Sequence, residues 1–409
     1  MKITGVEAYA LRAPSPVAQT YWGSKGSALD ETSAKQVSDI EPSGYESTDY
    51  PPRWRMRASY SKTIDTTIVK LTTDNGLVGY GEAKAPVTPE AAREIIRQLL
   101  SPIVLDADPF DVSVLWERMY SLMRLRGHTT GFFLEAISGI DIALWDLMGK
   151  AVGMPISKLM GGQYRDKVKV YASGLPGVAL ATDAAALDEL GKSAAALAEQ
   201  GYTAVKLGVG FGLDADIKSV EAVRAATGPN FLILADAAGN YDIAQSIMIG
   251  RAFESLRVGW LETPLPPENI DGYAQVAQAL ALPITSDLIV SRYIAQQYLS
   301  KQALDVIQPD VCRAGGITEC LRIANLADVF GVAFAPHVSI GSAIHFAATA
   351  HLGAAVPNLI ISEYWIGDNP LGDAILSEPL RREGSYLYVP QGPGLGLKIN
   401  EQALLKYAV

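Results

Sequence analysis

Between Val205 and His337 the chain repeats one pattern six times: a short apolar run stops on an ionisable residue and is followed by a helix-like stretch. The runs are TAVKL around Lys206, FLILAD ending at Asp236, VGWLE at Glu262, LPITSD at Asp287, LDVIQPD at Asp310 and VAFAPH at His337. Successive endings lie 30, 26, 25, 23 and 27 residues apart. One strand, one helix and two connections use about that much chain. Parallel strands at this period, each delivering an ionisable group at its C-terminal end, point to a (β/α) barrel with its chemistry on the top face. Residues 168–173 (VKVYAS) read as the first strand, and 358–362, ending at Glu363, as the eighth.

Residues two apart on a strand share a face. Lys206 and Gly208 should therefore point the same way, with Gly208 nearer the mouth. A single carboxylate after a buried strand is often a helix N-cap, but Asp236, Glu262 and Asp287 end three consecutive strands. Close carboxylates repel and raise one another's pKa. A divalent cation resolves that conflict, and an all-oxygen set suits Mg2+ best and Mn2+ next. Without a Cys/His cluster, zinc does not fit. Asp310 and His337 end the next two strands, where a carboxylate beside an imidazole fixes its tautomer and raises its basicity. A structural histidine at a strand end is the plainer alternative.

The chain has 409 residues, enough for a barrel and a smaller domain, and a net charge of −10 that argues against a nucleic-acid partner. Two cysteines, Cys312 and Cys320, make no disulfide framework and suit a cytoplasmic protein. No signal peptide or membrane span is apparent, and the apolar 340–356 stretch, which carries His345 and His351, reads as a buried barrel helix. No P-loop or GxGxxG occurs, so no nucleotide or organic cofactor is expected. Residues 1–165 read as a cap: three antiparallel strands with an Asn-Gly hairpin at 75–76, then helices around 89–100, 111–125 and 132–152. A polar segment, about 13–61, interrupts the first two strands and reads as a lid containing Trp22. Arg124, Arg126 and His128 sit in a turn between two helices, either as a solvated basic turn or as a substrate-anion contact. Residues 166–368 form the barrel, and 369–409 return to the cap.

Several stretches resemble the enolase superfamily, in its mandelate racemase subgroup: VGYGEA (78–83), SGIDIALWDLMGK (138–150), LMGG (159–162), WLETP (260–264), VIQPDVCRAGGITE (306–319), APH (335–337) and GPGLG (392–396). The resemblance implies an α+β cap on a (β/α)7β TIM-like barrel, one Mg2+, acidic substrates with an α-proton, and a homo-oligomer. It places Asp236, Glu262 and Asp287 on the metal ligands, although the third is more commonly Glu. It places His337 and Asp310 on an acid/base dyad, and Glu363 on the residue that hydrogen-bonds the substrate carboxylate. The subgroup often has Lys-x-Lys on the second strand, where this chain has Lys206-Leu207-Gly208, so the usual second base is absent. Lys206 either reaches up into the gap left by Gly208 or lies beside the metal carboxylates as a counter-charge.

The expected activity is dehydration of a sugar acid, an aldonate or aldarate, to a 2-keto-3-deoxy acid, because one acid/base group on one face suffices for a syn elimination. The alternatives are a cycloisomerase or lactone isomerase, a racemase or epimerase, and a barrel that binds metal and ligand without turnover. Arg126, His128 and Trp22 are the candidate substrate contacts.

Overall fold

In the computed structural model the described residues are 1–14, 63–175 and 183–409. Strands β1 (Ile3–Pro14), β2 (Thr63–Thr73) and β3 (Val78–Ala83) form an antiparallel sheet in that order. The β2–β3 hairpin turns where Asn-Gly demands: Gly76 takes φ +82°, and the Thr73 hydroxyl donates to Asn75 Oδ1 at 2.6 Å. The 13–61 segment starts later than expected, because β1 continues through Pro14. Trp22 and the remainder of the proposed lid lie outside the described residues.

The cap sheet packs on the helix Phe132–Val152 at close range because glycine faces glycine. A Cβ on Gly81 would stand 1.9 Å from the Gly139 carbonyl, and one on Gly139 would stand 2.7 Å from Val69. The VGYGEA and SGIDIALWD stretches are thus two sides of one interface. The polar residues of that helix tie it to the rest of the chain. Buried Asp141 accepts from Thr318 N at 2.9 Å, and Ser138 Oγ accepts from Gly315 N at 2.8 Å, both at the start of the helix Gly316–Val329. Asp146 accepts from Tyr80 N at 2.9 Å and from Leu395 N, within GPGLG, at 2.8 Å.

Eight parallel strands follow: β4 (Lys167–Ser173), β5 (Ala204–Gly208), β6 (Leu232–Asp236), β7 (Val258–Glu262), β8 (Ile284–Ser286), β9 (Val306–Ile307), β10 (Ala333–Phe334) and β11 (Ser362–Trp365). Neighbours pair in sequence from β4 to β10, β11 pairs with β4, and an isolated Phe334–Leu359 bridge closes the ring. A helix follows each of the first seven, from Ala184–Glu199 after β4 to Ala343–Ala355 after β10, giving a (β/α)7β barrel. The eighth strand is Ser362–Trp365 and not 358–362, because Leu359 makes only the closing bridge. Strand β13 (Tyr386–Tyr388), paired with the short β12 (Arg382–Glu383), adds antiparallel to β4. The tail then reaches the cap, where Glu401 meets Lys70 at 2.7 Å and Ala408 bridges Leu11.

The period of two sorts the strand residues. Val205 and Leu207, with Ile233 and Ala235, join the large core toward the helices. Ala204, Leu234, Trp260 and Tyr171 pack together in a separate cluster inside the ring, with Tyr171 and Trp260 edge to face at 5.6 Å. Lys206, Asp236 and Glu262 share strand faces with that inner set, so the charged groups lie above an apolar plug. No helix among the described residues is long and apolar enough to cross a membrane.

The helix Ala343–Ala355 is buried throughout, which makes its two histidines informative. His351 Nε2 lies 3.1 Å from the Leu395 carbonyl and its Nδ1 3.3 Å from Ser157 Oγ. Burial lowers its pKa from 6.5 to about 4. Between those values the unfolded chain binds a proton that the folded chain does not, so stability present above pH 6.5 is lost as pH falls toward 4. That separation corresponds to roughly 3 kcal/mol. Urea denaturation should therefore show a smaller stability loss between about pH 7 and pH 4 for His351→Gln than for the parent chain. Equal losses would show that His351 does not contribute to the acid sensitivity.

Candidate active site

Five carboxylates gather at the C-terminal end of the barrel. Asp236 and Glu262 are the last residues of β6 and β7, and Asp287 follows β8 directly. Asp310 and His337 lie three residues beyond the short strands β9 and β10, where an isolated parallel bridge joins them. Glu363 is the second residue of β11. Lys206 occupies the centre. Its ammonium lies 2.8 Å from Glu363 Oε1, 3.2 Å from Glu262 Oε1 and 3.3 Å from Asp236 Oδ2. It sits one same-face step below Gly208, which is level with Asp236, and reaches up to the carboxylates. Its place is that of the counter-charge.

One lysine does not balance this cluster. Burial disfavours the Lys206 ammonium, but Glu262, Glu363 and Asp236 reverse that and raise its pKa well above the ordinary value. Burial together with Asp236 pushes Glu262 well above the carboxylate range despite Lys206. Asp236 is also raised, by burial and Asp287, against the pull of Lys206. Burial would raise Asp287 too, but His337, Arg313 and Lys206 bring it below its ordinary value. Glu262 Oε2 is further held by Gln308 Nε2 at 3.1 Å and Trp260 Nε1 at 3.3 Å. Thr263 Oγ1 donates to Asp287 Oδ1 at 2.8 Å from a backbone at φ +42°, which is costly for a β-branched residue. Ala238, at φ +47°, donates its N–H to Asp236 Oδ1 at 3.0 Å. The strained turn after β6 thus aims at the carboxylate that ends that strand, and the one after β7 at the carboxylate that follows β8.

The donor set fits a hard divalent cation. All three side chains offer oxygen, and the raised Asp236 and Glu262 mark missing positive charge. Asp236, Glu262 and Asp287 would hold it. Among the described residues, the group whose ligand atoms already close to within 4.8 Å is a different one: Glu82, Cys312 and His345. It is not a metal centre on physical grounds. Glu82 accepts from Thr66 Oγ1, Ser342 N, Ser342 Oγ and His345 N, and burial keeps Cys312 a thiol.

The dyad has a definite geometry. His337 Nδ1 lies 2.9 Å from Asp310 Oδ2, and its Nε2 lies 3.4 Å from Glu363 Oε2 and 3.7 Å from Asp287 Oδ2. Burial would raise Asp310, but His345, Lys84 and the bond from His337 hold it well below the usual range. Glu363 Oε2 accepts from Val338 N at 2.9 Å and Ser339 N at 2.7 Å. Burial opposes its charge, yet Lys206 and His337 hold its pKa below the ordinary carboxylate value.

Arg126 and His128 are not brought to this cluster. Both are exposed on the turn after the helix Val112–Arg124, and His128 rests 6.5 Å from the ring of Phe133. Their turn instead follows Arg124, which lies over Tyr120 and Tyr293. The site also contains residues that the sequence did not single out. Lys84 and Glu135 come from the cap, Arg313 lies 3.5 Å from both Asp287 and Glu135, and His345 comes from the helix Ala343–Ala355. A histidine within an apolar helix was the readable signal, since buried polar groups need partners.

Residues 49–161 match the model of the mandelate racemase / muconate lactonizing enzyme N-terminal domain, and residues 189–403 match the enolase C-terminal domain-like model. The chain belongs to the enolase superfamily, in its mandelate racemase subgroup. Among superfamily relatives, D-galactarolactone cycloisomerase of Agrobacterium fabrum is 36% identical over 352 residues, covering 83% of this chain and 90% of the relative. Arabinonate dehydratase of Saccharolobus solfataricus is 32% identical over 346 residues, covering 84% and 91%. The crystal structure of 3,6-anhydro-D-galactonate cycloisomerase from Zobellia galactanivorans superposes with a TM-score of 0.81 at 29% identity, over 100% of both chains.

Removing Lys206 should expose the charge imbalance. Lys206→Met leaves buried carboxylates without their cation, a loss of about 3–5 kcal/mol when a buried pair is broken. Millimolar Mg2+ should then raise the melting temperature of this variant more than that of the parent, and Glu262→Gln should blunt the response. Thermal denaturation with and without Mg2+ checks this. An equal Mg2+ effect on all three chains would remove the carboxylates as ligands.

Proposed function

We propose that this chain dehydrates a sugar acid, an aldonate or aldarate, to a 2-keto-3-deoxy acid. The observation that supports it most is the one-sided proton chemistry at the barrel mouth. His337 has Nδ1 fixed by Asp310 and Nε2 turned toward Glu363 and Asp287. On the β5 side, Gly208 carries no side chain and the Lys206 ammonium already serves three carboxylates. A base on each face, which racemisation needs, is not provided by these residues.

In this reading His337 Nε2 takes the α-proton, and the electron pair of the C–H bond moves toward the substrate carboxylate. The bond to the β-hydroxyl then breaks, and the same Nε2–H gives its proton to the departing oxygen, releasing water. The enol product tautomerises to the 2-keto-3-deoxy acid. Asp310 keeps the imidazole oriented and stabilises the imidazolium between the two transfers. Lys206 provides fixed positive charge opposite His337. A divalent cation held by Asp236, Glu262 and Asp287 would supply Lewis-acid stabilisation of the charge on the substrate carboxylate.

The 36% identity to a lactone cycloisomerase favours a second reading, in which the leaving oxygen belongs to a ring of the substrate and is retained in the product. Incubation with Mg2+ and a panel of aldonates, aldarates and their lactones, followed by keto-acid trapping and mass spectrometry, separates the two. Dehydration gives an α-keto acid lighter than its substrate by one water, whereas ring opening by elimination gives an isomer. His337→Asn should lower turnover by about 10²–10⁴-fold. Full activity in that variant would remove His337 as the base.

A further inference from the structure

Asp310 is more heavily engaged than a dyad requires. Three hydrogen bonds and one close imidazole contact converge on its two oxygens. Oδ2 receives His337 Nδ1 at 2.9 Å and Lys84 Nζ at 3.2 Å, while Oδ1 receives Cys312 N at 2.8 Å and has His345 Nε2 at 3.0 Å. A carboxylate has about four acceptor positions, so Asp310 is filled. Lys84, His345, Asp310 and His337 are all buried. Neither ring nitrogen of His345 makes a hydrogen bond of regular geometry among the described residues, so Nε2 meets Asp310 Oδ1 as a close polar contact, where only an N–H can face the carboxylate favourably. Lys84 comes from the cap, directly after β3, and its ammonium also donates to the Val338 carbonyl at 2.5 Å. Its backbone N–H donates to the Cys312 carbonyl at 3.2 Å. The cap thus holds both chain segments that carry the dyad.

We propose that Lys84 and His345 are positioning residues: together they fix Asp310 as a pure acceptor, which holds His337 in the Nδ1–H form with Nε2 directed into the mouth. The catalytic part of this rests on His337 being the acid/base group. The geometry explains why both are needed. If His345 is removed, Oδ1 keeps only the Cys312 amide, and the carboxylate can rotate away from His337. If Lys84 is removed, nothing holds Oδ2 against Val338 beside the imidazole. A glutamine at 345 can still present an N–H to Oδ1, and an arginine at 84 can still bridge Asp310 and Val338.

The test combines kinetics with nitrogen-15 spectroscopy of the four histidines, His337 being assigned by its loss in His337→Asn. The ligand-free parent should show a strongly downfield His337 Nδ1 proton, bonded to Asp310. Lys84→Met and His345→Leu should weaken that signal. Their kcat should fall about 10- to 100-fold with KM nearly unchanged. Lys84→Arg and His345→Gln, which keep a donor and guard against a mere folding defect, should restore the signal and most of kcat. A His337 signal unchanged in both Lys84→Met and His345→Leu overturns the proposal even if turnover falls. Turnover that survives His337→Asn while the signal responds to Lys84 and His345 overturns the assignment of the base and leaves the positioning role supported.

Discussion

The site depends on buried negative charge shared around one ammonium. At about 3 Å and an effective dielectric constant near 20, a unit ion pair gains about 5 kcal/mol. Each buried ion loses several kcal/mol of hydration. Lys206 can balance one or two partners on those terms, and it has three. The shortfall appears as raised carboxyl pKa values at Glu262 and Asp236. The carboxylates that make no contact with Lys206 are satisfied differently: Asp287 by Thr263, Arg313 and His337, and Asp310 by donors from three separate parts of the chain.

The apolar plug beneath and the cap above allow that charge to remain buried. Inside the ring, Tyr171, Trp260 and Leu234 fill the space below Lys206 and exclude water from its lower side. Above, the helix Phe132–Val152 attaches the cap sheet through the Gly81–Gly139 approach and reaches the barrel through Asp141 and Ser138. The Ser138 bond ends on the Gly315–Gly316 turn, where φ of +89° and +88° excludes most side chains, and the Asp141 bond ends just beyond it on Thr318. That turn follows Asp310 within one loop. Cap attachment and dyad placement are therefore one mechanical problem, in which these polar contacts stand beside an apolar core shared by cap and barrel.

The strand rhythm made the barrel legible, because period-two alternation and a charged terminus coincide on β5, β6 and β7. Those strands place Lys206, Asp236 and Glu262 where the sequence implied. Legibility failed where contacts are long-range. Lys84 lies 226 residues from Asp310, and no local pattern distinguishes it from an ordinary lysine after a cap strand. His345 was visible only as a polar residue in an apolar helix. Arg126 and His128 are the opposite case, attractive by residue type and carried on an exposed turn. The eighth strand was displaced for a local reason: the apolar run through Leu359 closes the ring with one bridge before regular pairing begins at Ser362.

Lys206 and Gly208 together decide what the site can do. With a lysine at position 208, a second ammonium would stand level with Asp236 and face His337 across the mouth, since Gly208 pairs with Asp236 in register. Glycine removes that group. Lys206, one step lower, cannot replace it without giving up Glu262, Glu363 and Asp236, and those contacts hold its proton. On the proposed reading, the barrel has a mobile proton at His337 and fixed positive charge at Lys206. Such an arrangement favours reactions in which one group both takes and returns the proton, and elimination of a β-oxygen from the face of His337 meets that requirement.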